Sequence, residues 1–413
     1  MQENRKADVV IVGGGASGLA AAVELRMSSS DFSLLVIEKM KEPGRKIRAT
    51  GSGRCNIANT RAAGYDSIKE FFDRIGLVTR SYDNGLVYPY SESASDVAEL
   101  LIDRAMLLGA EIACSEEVIS IKTVEKGSAT GARFSIESKY KDEDGEHTII
   151  TEADYVILAC GGKAGPSYGT TGDGYRLAKE LGHSIVTPVP ALTGIECREW
   201  EEGAISLAGT RMPGVVTLFK KGRLDNPVFR EAGEIQFTKY GLSGICIFNM
   251  TRHMRLDRSI GEGFEDFTIK IDFFPEGDFK AHILRMRNLA PPNMPASEIL
   301  CTVLKDSLSN YVAKGFDGSK ALSELSEGEI DTIYNMVHGL EFHPVKLRGW
   351  QDAQVTMGGV SLDEIDEDTS ESKIVNGLYI TGELADRDFE CGGFNLSNAW
   401  ITGVAAADDI VNR

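Results

Sequence analysis

The chain has 413 residues, which is long for one hydrophobic core and predicts two or three domains. Lys and Arg total 44 against 62 Asp and Glu, a formal net charge of −18, so we expect neither a nucleic acid nor an anionic membrane as a partner. Seven cysteines without framework spacing, no apolar leader and no run of 18 apolar residues predict a cytoplasmic protein without a membrane span.

The first predicted element is an apolar strand that begins at Ala7 and leads through a glycine-rich turn into an alanine-rich helix. Gly13, Gly15 and Gly18 have G-x-G-x-x-G spacing, which permits a tight turn, close approach of a pyrophosphate and close packing of the helix on the sheet. The next apolar run ends at Glu38, 20 residues after Gly18, where a carboxylate can accept hydrogen bonds from both hydroxyls of an adenosine ribose. The segment is therefore predicted to be a nucleotide-binding β-α-β unit.

From Lys39 to Leu181 short apolar segments alternate with glycine-rich loops. A basic loop without apolar periodicity comes first, from Lys39 to Thr60. The elements predicted after it are helices at 67–75 and 95–108, the second capped by Ser95, strands at 117–121, 132–138 and 154–159, and a helix at 175–181.

The pattern changes after Pro190 and returns to strands and glycines near Val345. The middle of the chain has short apolar runs at 214–219, 234–237 and 267–274, followed by helical segments at 281–287, 296–308 and 327–336. A strand at 377–380 and a helix at 396–411 close the chain. We therefore predict an α/β fold in which 1–191 and 342–413 form one discontinuous Rossmann-type domain, interrupted by an antiparallel β domain at 192–275 and a helical domain at 276–341.

Further motifs indicate which nucleotide is bound, because they resemble motifs of known flavoproteins. Segments 44–56, 155–183 and 377–403 resemble the cofactor loops of flavoproteins with two dinucleotide-binding domains. The whole chain resembles the HI0933-like, BaiN-type family of FAD-dependent oxidoreductases through TGSGRCN, VYPYSESAS, GEIQFTKYGLSG, IDFFPE, QVTMGGVSLDEI and CGGFNLSNAW, at 50–56, 87–95, 233–244, 271–276, 354–365 and 391–400. Cys160, Ile245 and Phe389 depart from the residues frequent in that family. The resemblance implies FAD, a split FAD domain, an inserted β-barrel-like domain and an inserted helical domain.

The predicted cofactor site combines the phosphate-binding turn with the segments that the resemblance implies. Its residues are Gly13, Gly15, Ala16, Ser17, Gly18, Glu38, Lys39, Gly44, Arg45, Lys46, Thr50, Gly51, Gly53, Arg54, Cys55, Asn56, Val118, Cys160, Gly161, Gly162, Gly172, Asp173, Met357, Gly358, Gly359, Gly382, Glu383, Gly392, Gly393, Phe394, Asn395 and Leu396.

Two groups of glycines have specific predicted roles in that site. Backbone N–H groups from Gly392 to Asn395, just before the closing helix, are expected to hold the pyrimidine edge of the flavin, where a helix N-terminus stabilises negative charge. Gly358 and Gly359 are expected to let the backbone pass close to the ring, or are simple turn glycines.

Cations and thiols near these loops leave alternatives open. Arg45, Lys46, Arg48 and Arg54 form either a solvated basic face or a cradle for the diphosphate and an anionic substrate, with Arg45 and Lys46 favoured for the cradle. The two loop cysteines, Cys55 and Cys391, form either a redox pair with the flavin or, more commonly for cysteine, inert buried thiols.

The sequence does not identify a catalytic residue. Tyr88, Tyr168, Tyr240 and Arg387 are weak candidates for a general acid, and His343 is either a proton donor or structural. The histidines show no ligand spacing, so we expect no metal. A second G-x-G-x-x-G motif is absent, so NAD(P)H, if it is the reductant, would bind transiently at the open face of the flavin.

The function predicted from these observations is an FAD-dependent oxidoreductase. It would transfer a hydride through flavin N5 to an unidentified small organic substrate, such as one with an activated C=C bond. Two alternatives stay open: a flavin-dependent RNA-modifying enzyme, which the net charge disfavours, and a flavin-binding module without turnover.

Overall fold

The computed structural model describes residues 2–29, 31–124, 133–221, 226–256 and 262–413. The chain divides into two compact units, Met1–Pro190 with Gln354–Arg413, and Ala191–Ala353. This division differs from the predicted return to the first domain at 342. Residues 344–347 form a strand that pairs with 195–197 in the sheet of the second unit, so the return comes only after Ala353.

Strands and helices are numbered separately along the chain. The strands are β1 Gln2–Val12, β2 Leu34–Glu38, β3 Ala58–Asn59, β4 Thr79–Ser81, β5 Leu86–Pro89, β6 Glu111–Cys114, β7 Glu116–Thr123, β8 Phe134–Asp142, β9 Gly145–Leu158, β10 Ile185–Ala191, β11 Ile195–Cys197, β12 Arg211–Lys220, β13 Phe229–Phe237, β14 Leu242–Ser243, β15 Phe267–Asp272, β16 Leu340–Phe342, β17 Pro344–Leu347, β18 Val355–Val360 and β19 Leu378–Ile380. The helices are α1 Ala16–Ser28, α2 Arg45–Ala49, α3 Tyr65–Arg74, α4 Ala94–Leu107, α5 Asp173–Glu180, α6 Ile245–Thr251, α7 Phe279–Leu289, α8 Asp306–Val312, α9 Glu327–His338 and α10 Phe394–Val411.

A parallel sheet forms the centre of the first unit. Its order is β6-β2-β1-β9, and β19 pairs with the end of β9 in parallel. The antiparallel strands β8 and β7 continue the sheet from the first half of β9. Strand β1 is apolar on both faces because each face contributes to a different hydrophobic cluster: Val9 and Ile11 to one, Val10 and Val12 to the other.

The second unit contains an antiparallel half-barrel sheet of order β16-β15-β12-β13-β14-β11-β17. Alternate residues of its strands point inward, for example Phe267, Ile269 and Ile271 of β15. Ile283 of α7 and Ile330 of α9 belong to the same hydrophobic cluster. The segments predicted as separate β and helical domains therefore form one compact unit with a common core.

Several element boundaries differ from the predictions. Helix α4 is capped by Ser93, whose side chain accepts a hydrogen bond from Asp96 N, and not by Ser95. The single helix predicted at 296–308 is a 3₁₀ turn at Ala296–Thr302 followed by α8. The strand predicted from 154 begins at Gly145, because it pairs along its whole first half with β8; the predicted start of β8, Ala132, lies outside the described residues.

The closing helix begins at Phe394, two residues before its predicted start. Phe394 and Asn395 therefore lie in the first helical turn and do not precede it. None of the helices in the described ranges is long and apolar enough to cross a membrane.

Candidate functional site

The turn between β1 and α1 has the geometry of a phosphate-binding loop. Gly13 has φ +106°, and a Cβ there would lie 2.5 Å from Ala159 O. A Cβ at Gly18 would lie 2.0 Å from Gly13 O, so these two glycines are required by the backbone itself. Gly15 is the N-cap of α1, and a Cβ on it would meet no atom closer than 4.0 Å. Because the cap has no side chain, the first backbone N–H groups of α1 stay uncovered, as a phosphate requires.

Glu38 ends β2 beside this turn. One of its carboxylate oxygens accepts a hydrogen bond from Gly14 N at 2.8 Å, and the other accepts one from Met40 N at 2.8 Å. Burial raises the pKa of Glu38, and these two N–H groups oppose that effect. Each carboxylate oxygen has a further lone pair, so the position expected for a ribose acceptor keeps that capacity. Val118 packs in the same cluster as Ile37.

The loop that follows β2 holds its cations in ion pairs or on backbone oxygens. Lys39 pairs with Asp173, and Arg48 lies 3.2 Å from Glu99. Arg45 donates to Ser167 O at 3.2 Å. Arg54 lies 5.1 Å from the centre of the Tyr88 ring and 3.8 Å from Glu92. Each of these cations has a partner of its own within the protein, and a common cradle for the diphosphate remains a prediction.

Lys46 joins the two ends of the chain. Its Nζ lies 2.7 Å from Oε2 of Glu383, a residue 337 positions away. Gly382 has φ +65°, and a Cβ there would lie 2.9 Å from Ser17 Oγ. Gly382 N also donates to Thr402 Oγ1 of α10 at 2.9 Å. The predicted N-terminal and C-terminal parts of the site are thus brought into direct contact.

Residues 50–56 form a tightly wound loop between α2 and β3. Gly51, Gly53 and the non-glycine residues Ser52 and Cys55 all have positive φ. The loop is closed by the hydrogen bond from Cys55 N to Thr50 O at 3.1 Å, and Asn56 Oδ1 accepts a hydrogen bond from Val87 N. Left-handed conformations of non-glycine residues are concentrated at functional loops, so this geometry suits the predicted contact with the cofactor.

The C-terminal glycines pack against the strand that follows this loop. Gly393 is the N-cap of α10 with φ +94°, and a Cβ on it would lie 2.6 Å from Ala58 O. Asn59 Nδ2 donates to Gly392 O at 2.9 Å. The side chain of Asn395 bonds the backbone of Phe389 and Glu390, which folds the loop before α10. Leu396 is partly buried against the cluster that contains Trp400.

Gly358 and Gly359 are required by packing within the chain, and their predicted closeness to the flavin ring stays a prediction. A Cβ at Gly358 would lie 2.5 Å from Thr187 O, and one at Gly359 would lie 2.5 Å from Leu384 O. Both also have positive φ. The packing of the chain against itself already requires glycine here, and a bound ring is not needed to explain either residue. Met357, next to them, is buried.

The turn after β9 faces the C-terminal segment. A Cβ at Gly162 would lie 2.3 Å from Thr356 Oγ1 and 2.5 Å from Glu383 Oε1. Gly161 and Gly172 have positive φ, as required at a tight turn and at the N-cap of α5.

Two cysteines of the site, Cys55 and Cys160, have raised pKa values. Cys55 is fully buried, and burial raises its pKa to about 11. Burial likewise raises the pKa of Cys160 to about 12. A thiol that stays protonated at neutral pH is a poor nucleophile, so Cys55 fits the alternative of an inert buried thiol, and a redox role of Cys391 with the flavin stays a prediction.

The candidate general acids are spread over both units. Tyr88 is buried beneath Arg54, and the ring of Tyr168 lies against Gly165. Tyr240 belongs to the second unit, where Arg348 lies 4.6 Å from its ring. His343 belongs to the second unit too, and its Nδ1 lies 2.6 Å from Glu199 Oε1, which gives it a structural partner. The catalytic acid therefore stays unassigned.

Two polar residues of this region were not among the predicted site residues. Thr356 Oγ1 accepts hydrogen bonds from Lys163 N at 2.7 Å and Ala164 N at 3.1 Å, and so holds the turn after Gly162. Asn59 holds Gly392 as described above. Both act across more than 190 residues of sequence; Thr356 lies inside the motif at 354–365, but the motif does not reveal the partners of its side chain.

Comparisons with known proteins agree with this architecture. The sequence profile described as the HI0933-like protein Rossmann domain matches residues 7–66 and 64–409. A 3-dehydro-bile acid delta(4,6)-reductase of Clostridium scindens is 32% identical, with 98% of each chain covered. A ribosomal RNA dihydrouridine synthase of Haemophilus influenzae is 25% identical, with 96% of this chain and 97% of the relative covered.

A solved structure also shares the fold. The 3-ketosteroid-Δ4-(5α)-dehydrogenase of Rhodococcus jostii RHA1 superposes with a TM-score of 0.50 at 15% identity, covering 99% of this chain and 97% of that one. This similarity shows the fold and carries no information on the substrate.

Proposed function

Because this chain belongs to the HI0933-like family and is an FAD-dependent oxidoreductase, we propose that it reduces a carbon–carbon double bond conjugated to a carbonyl group in a small organic molecule. The observation that supports the proposal most is the end-to-end similarity to the bile acid reductase. Both relatives above carry names that describe the saturation of a C=C bond. The shared chemistry is therefore better supported than any single substrate.

The described residues fit FAD. The uncovered N-terminus of α1 would hold the diphosphate, and Glu38 would accept hydrogen bonds from the ribose. The N-terminus of α10, with Gly393 as its cap, would place a positive partial charge beside the ring. When bound, FAD supplies the hydride donor at N5, and the protein supplies position and electrostatic field.

We further propose that NADH or NADPH reduces the protein by transient binding. The described sheet of the first unit contains a single glycine-rich strand-turn-helix of the dinucleotide-binding type, at Gly13–Gly18, and we assign that turn to FAD. A nicotinamide cofactor would then have to bind and leave in each turnover.

The test is an anaerobic two-step assay. The purified holoprotein is first mixed with NADH or NADPH, and separately with dithionite, while flavin absorbance is recorded. The reduced protein is then offered a 3-keto-4,6-diene steroid acid, with the saturated 3-keto acid as the matched control. We expect reoxidation by the diene alone and a product that has gained two hydrogens by mass spectrometry. A dithionite-reduced protein that no conjugated enone reoxidises would contradict the proposal.

A second candidate is reduction of a uridine in ribosomal RNA. It is favoured by the 25% identity to the dihydrouridine synthase. The segment 39–61 carries seven Lys and Arg against one Glu, but four of these cations are paired with carboxylates elsewhere in the chain. The net charge of −18 counts against RNA binding. Incubation of the reduced protein with unmodified ribosomal RNA, followed by mass spectrometry of nucleosides, separates the two: dihydrouridine in place of saturated enone would favour the second candidate.

A further inference from the structure

Tyr175 lies in the first turn of α5, beside the predicted cofactor residues Gly172 and Asp173. The residue is 7% exposed. Within the described part of the chain, its buried hydroxyl oxygen has no hydrogen-bond partner. Buried hydroxyl groups are nearly always paired in folded proteins, so the unpaired phenol indicates a polar partner that the polypeptide does not supply.

The neighbouring hydroxyl of Thr356 cannot accept the proton of Tyr175. Thr356 Oγ1 already accepts hydrogen bonds from Lys163 N and Ala164 N, which use both of its lone pairs, so it can only donate to the phenol oxygen and leaves the phenol proton without an acceptor. Burial, followed by the negative charge of Glu383, raises the pKa of Tyr175. The phenol is therefore a protonated donor at neutral pH.

Both oxygens of the Glu383 carboxylate have other partners. Its Oε1 accepts a hydrogen bond from Thr356 N at 2.9 Å, and its Oε2 pairs with Lys46 at 2.7 Å. A Cβ at Gly162 would collide with both Thr356 Oγ1 and Glu383 Oε1, so only backbone fits on that side. Tyr175 thus belongs to a polar cluster that joins three predicted parts of the cofactor site.

We propose that the Tyr175 hydroxyl binds FAD by donating a hydrogen bond to one of its oxygens. FAD carries acceptor oxygens on its diphosphate and on its ribityl chain, which match a lone protonated donor. The proposal depends on the FAD dependence of the family and is independent of the substrate proposed above.

The test compares Tyr175→Phe with Tyr379→Phe. Tyr379 is buried too, but its hydroxyl donates to Asp409 at 2.6 Å, so it is a matched control whose hydrogen bond is already made. For each protein we would measure the melting temperature of the apoprotein and the FAD dissociation constant by quenching of FAD fluorescence. Neither readout needs the substrate.

For Tyr175→Phe we expect an apoprotein that melts at the wild-type temperature or above, because only an unpaired hydroxyl is lost. Its FAD dissociation constant should rise about threefold to tenfold, as expected for one lost hydrogen bond. Tyr379→Phe should melt lower than wild type both with and without FAD, and its dissociation constant should stay within about twofold of wild type.

The two variants are expected to differ in the melting temperature of the apoprotein: unchanged or higher for Tyr175→Phe, and lower for Tyr379→Phe. An apo Tyr175→Phe that melts as low as Tyr379→Phe and binds FAD as wild type would show that the hydroxyl is structural, and the proposal would be wrong. If Tyr175→Phe does not fold, Tyr175→Met is titrated in the same way. If the FAD affinity of Tyr175→Phe changes as expected but the protein does not reduce enones, only the proposed function is rejected.

Discussion

The helix starts at Gly15 and at Gly393 are both glycine N-caps of buried helices, yet they are built in different ways. At the start of α1, the shortest contact that requires glycine is close in sequence, since Gly18 packs on Gly13 O, although Gly13 itself packs on Ala159 O. At the start of α10, Gly393 packs on Ala58 O, more than 330 residues earlier. A local motif therefore identifies the first helix start, whereas the second depends on the closure of the chain.

The largest expected effect tests the local construction at α1. Gly18→Ala places a methyl group 2.0 Å from Gly13 O and should lower the free energy of unfolding of the apoprotein by about 3 kcal/mol. Gly15→Ala is the matched control, because its methyl group meets nothing closer than 4.0 Å. That variant should melt as wild type without FAD but bind FAD more weakly. Urea denaturation and FAD titration measure the two effects, and equal stability loss in both variants would contradict this assignment.

The next prediction tests the long-range construction at α10. Gly393→Ala combines a left-handed φ with a contact of 2.6 Å and should cost about 2 to 3 kcal/mol of stability. Gly53→Ala shares the left-handed φ but has no atom within 4 Å, so it should cost about 1 to 2 kcal/mol. Chemical denaturation of both apoproteins checks this. If Gly53→Ala is the more damaging variant, the contact with Ala58 is not what fixes the start of α10.

A third contact between segments distant in sequence is polar and is centred on His183. His183 Nδ1 lies 3.0 Å from Glu364 Oε2, and its Nε2 lies 2.9 Å from Ser372 Oγ, while burial lowers the pKa of its ring. Because the unfolded chain then binds the proton more tightly, stability is full above about pH 6.5 and falls as the pH decreases.

Between pH 7.5 and 5.5, the free energy of unfolding of wild type should fall by about 1 kcal/mol more than that of His183→Gln. Urea denaturation at several pH values measures this difference. If the free energy of unfolding depends on pH in the same way for both proteins, protonation of His183 does not control stability at this contact.

The last prediction concerns the reactivity of Cys55 in loop 50–56, where the smallest effect is expected. Fully buried Cys55 has a raised pKa of about 11, whereas Cys301 is exposed. Brief treatment of the native protein with iodoacetamide at pH 7.5 should alkylate Cys301 and leave Cys55 unmodified, as read by peptide mass spectrometry. Rapid labelling of Cys55 would mean that loop 50–56 opens readily, against the tight loop described above.

The sequence by itself determined the Rossmann-type fold, the family and the FAD dependence, because these depend on patterns that are local or collinear: G-x-G-x-x-G, Glu38 at its proper distance, and family motifs in chain order. The boundaries of helices were harder to predict from the sequence. Ser93 and Ser95 are equally good N-caps in isolation, and the backbone of the folded chain selects Ser93. The reason for Gly358 and Gly359 was also inaccessible, because Thr187 O and Leu384 O meet them only after folding.

Only the tertiary structure decided which distant groups meet. Lys46 contacts Glu383, Asn59 holds Gly392, and Tyr175 is left with an unpaired hydroxyl among the described residues. The physical reason is that hydrogen bonds and steric contacts act over a few ångströms, while the sequence orders residues along the chain and not in space. A spacing rule can predict a turn, but the partners of a buried polar group follow from the packing of the whole domain.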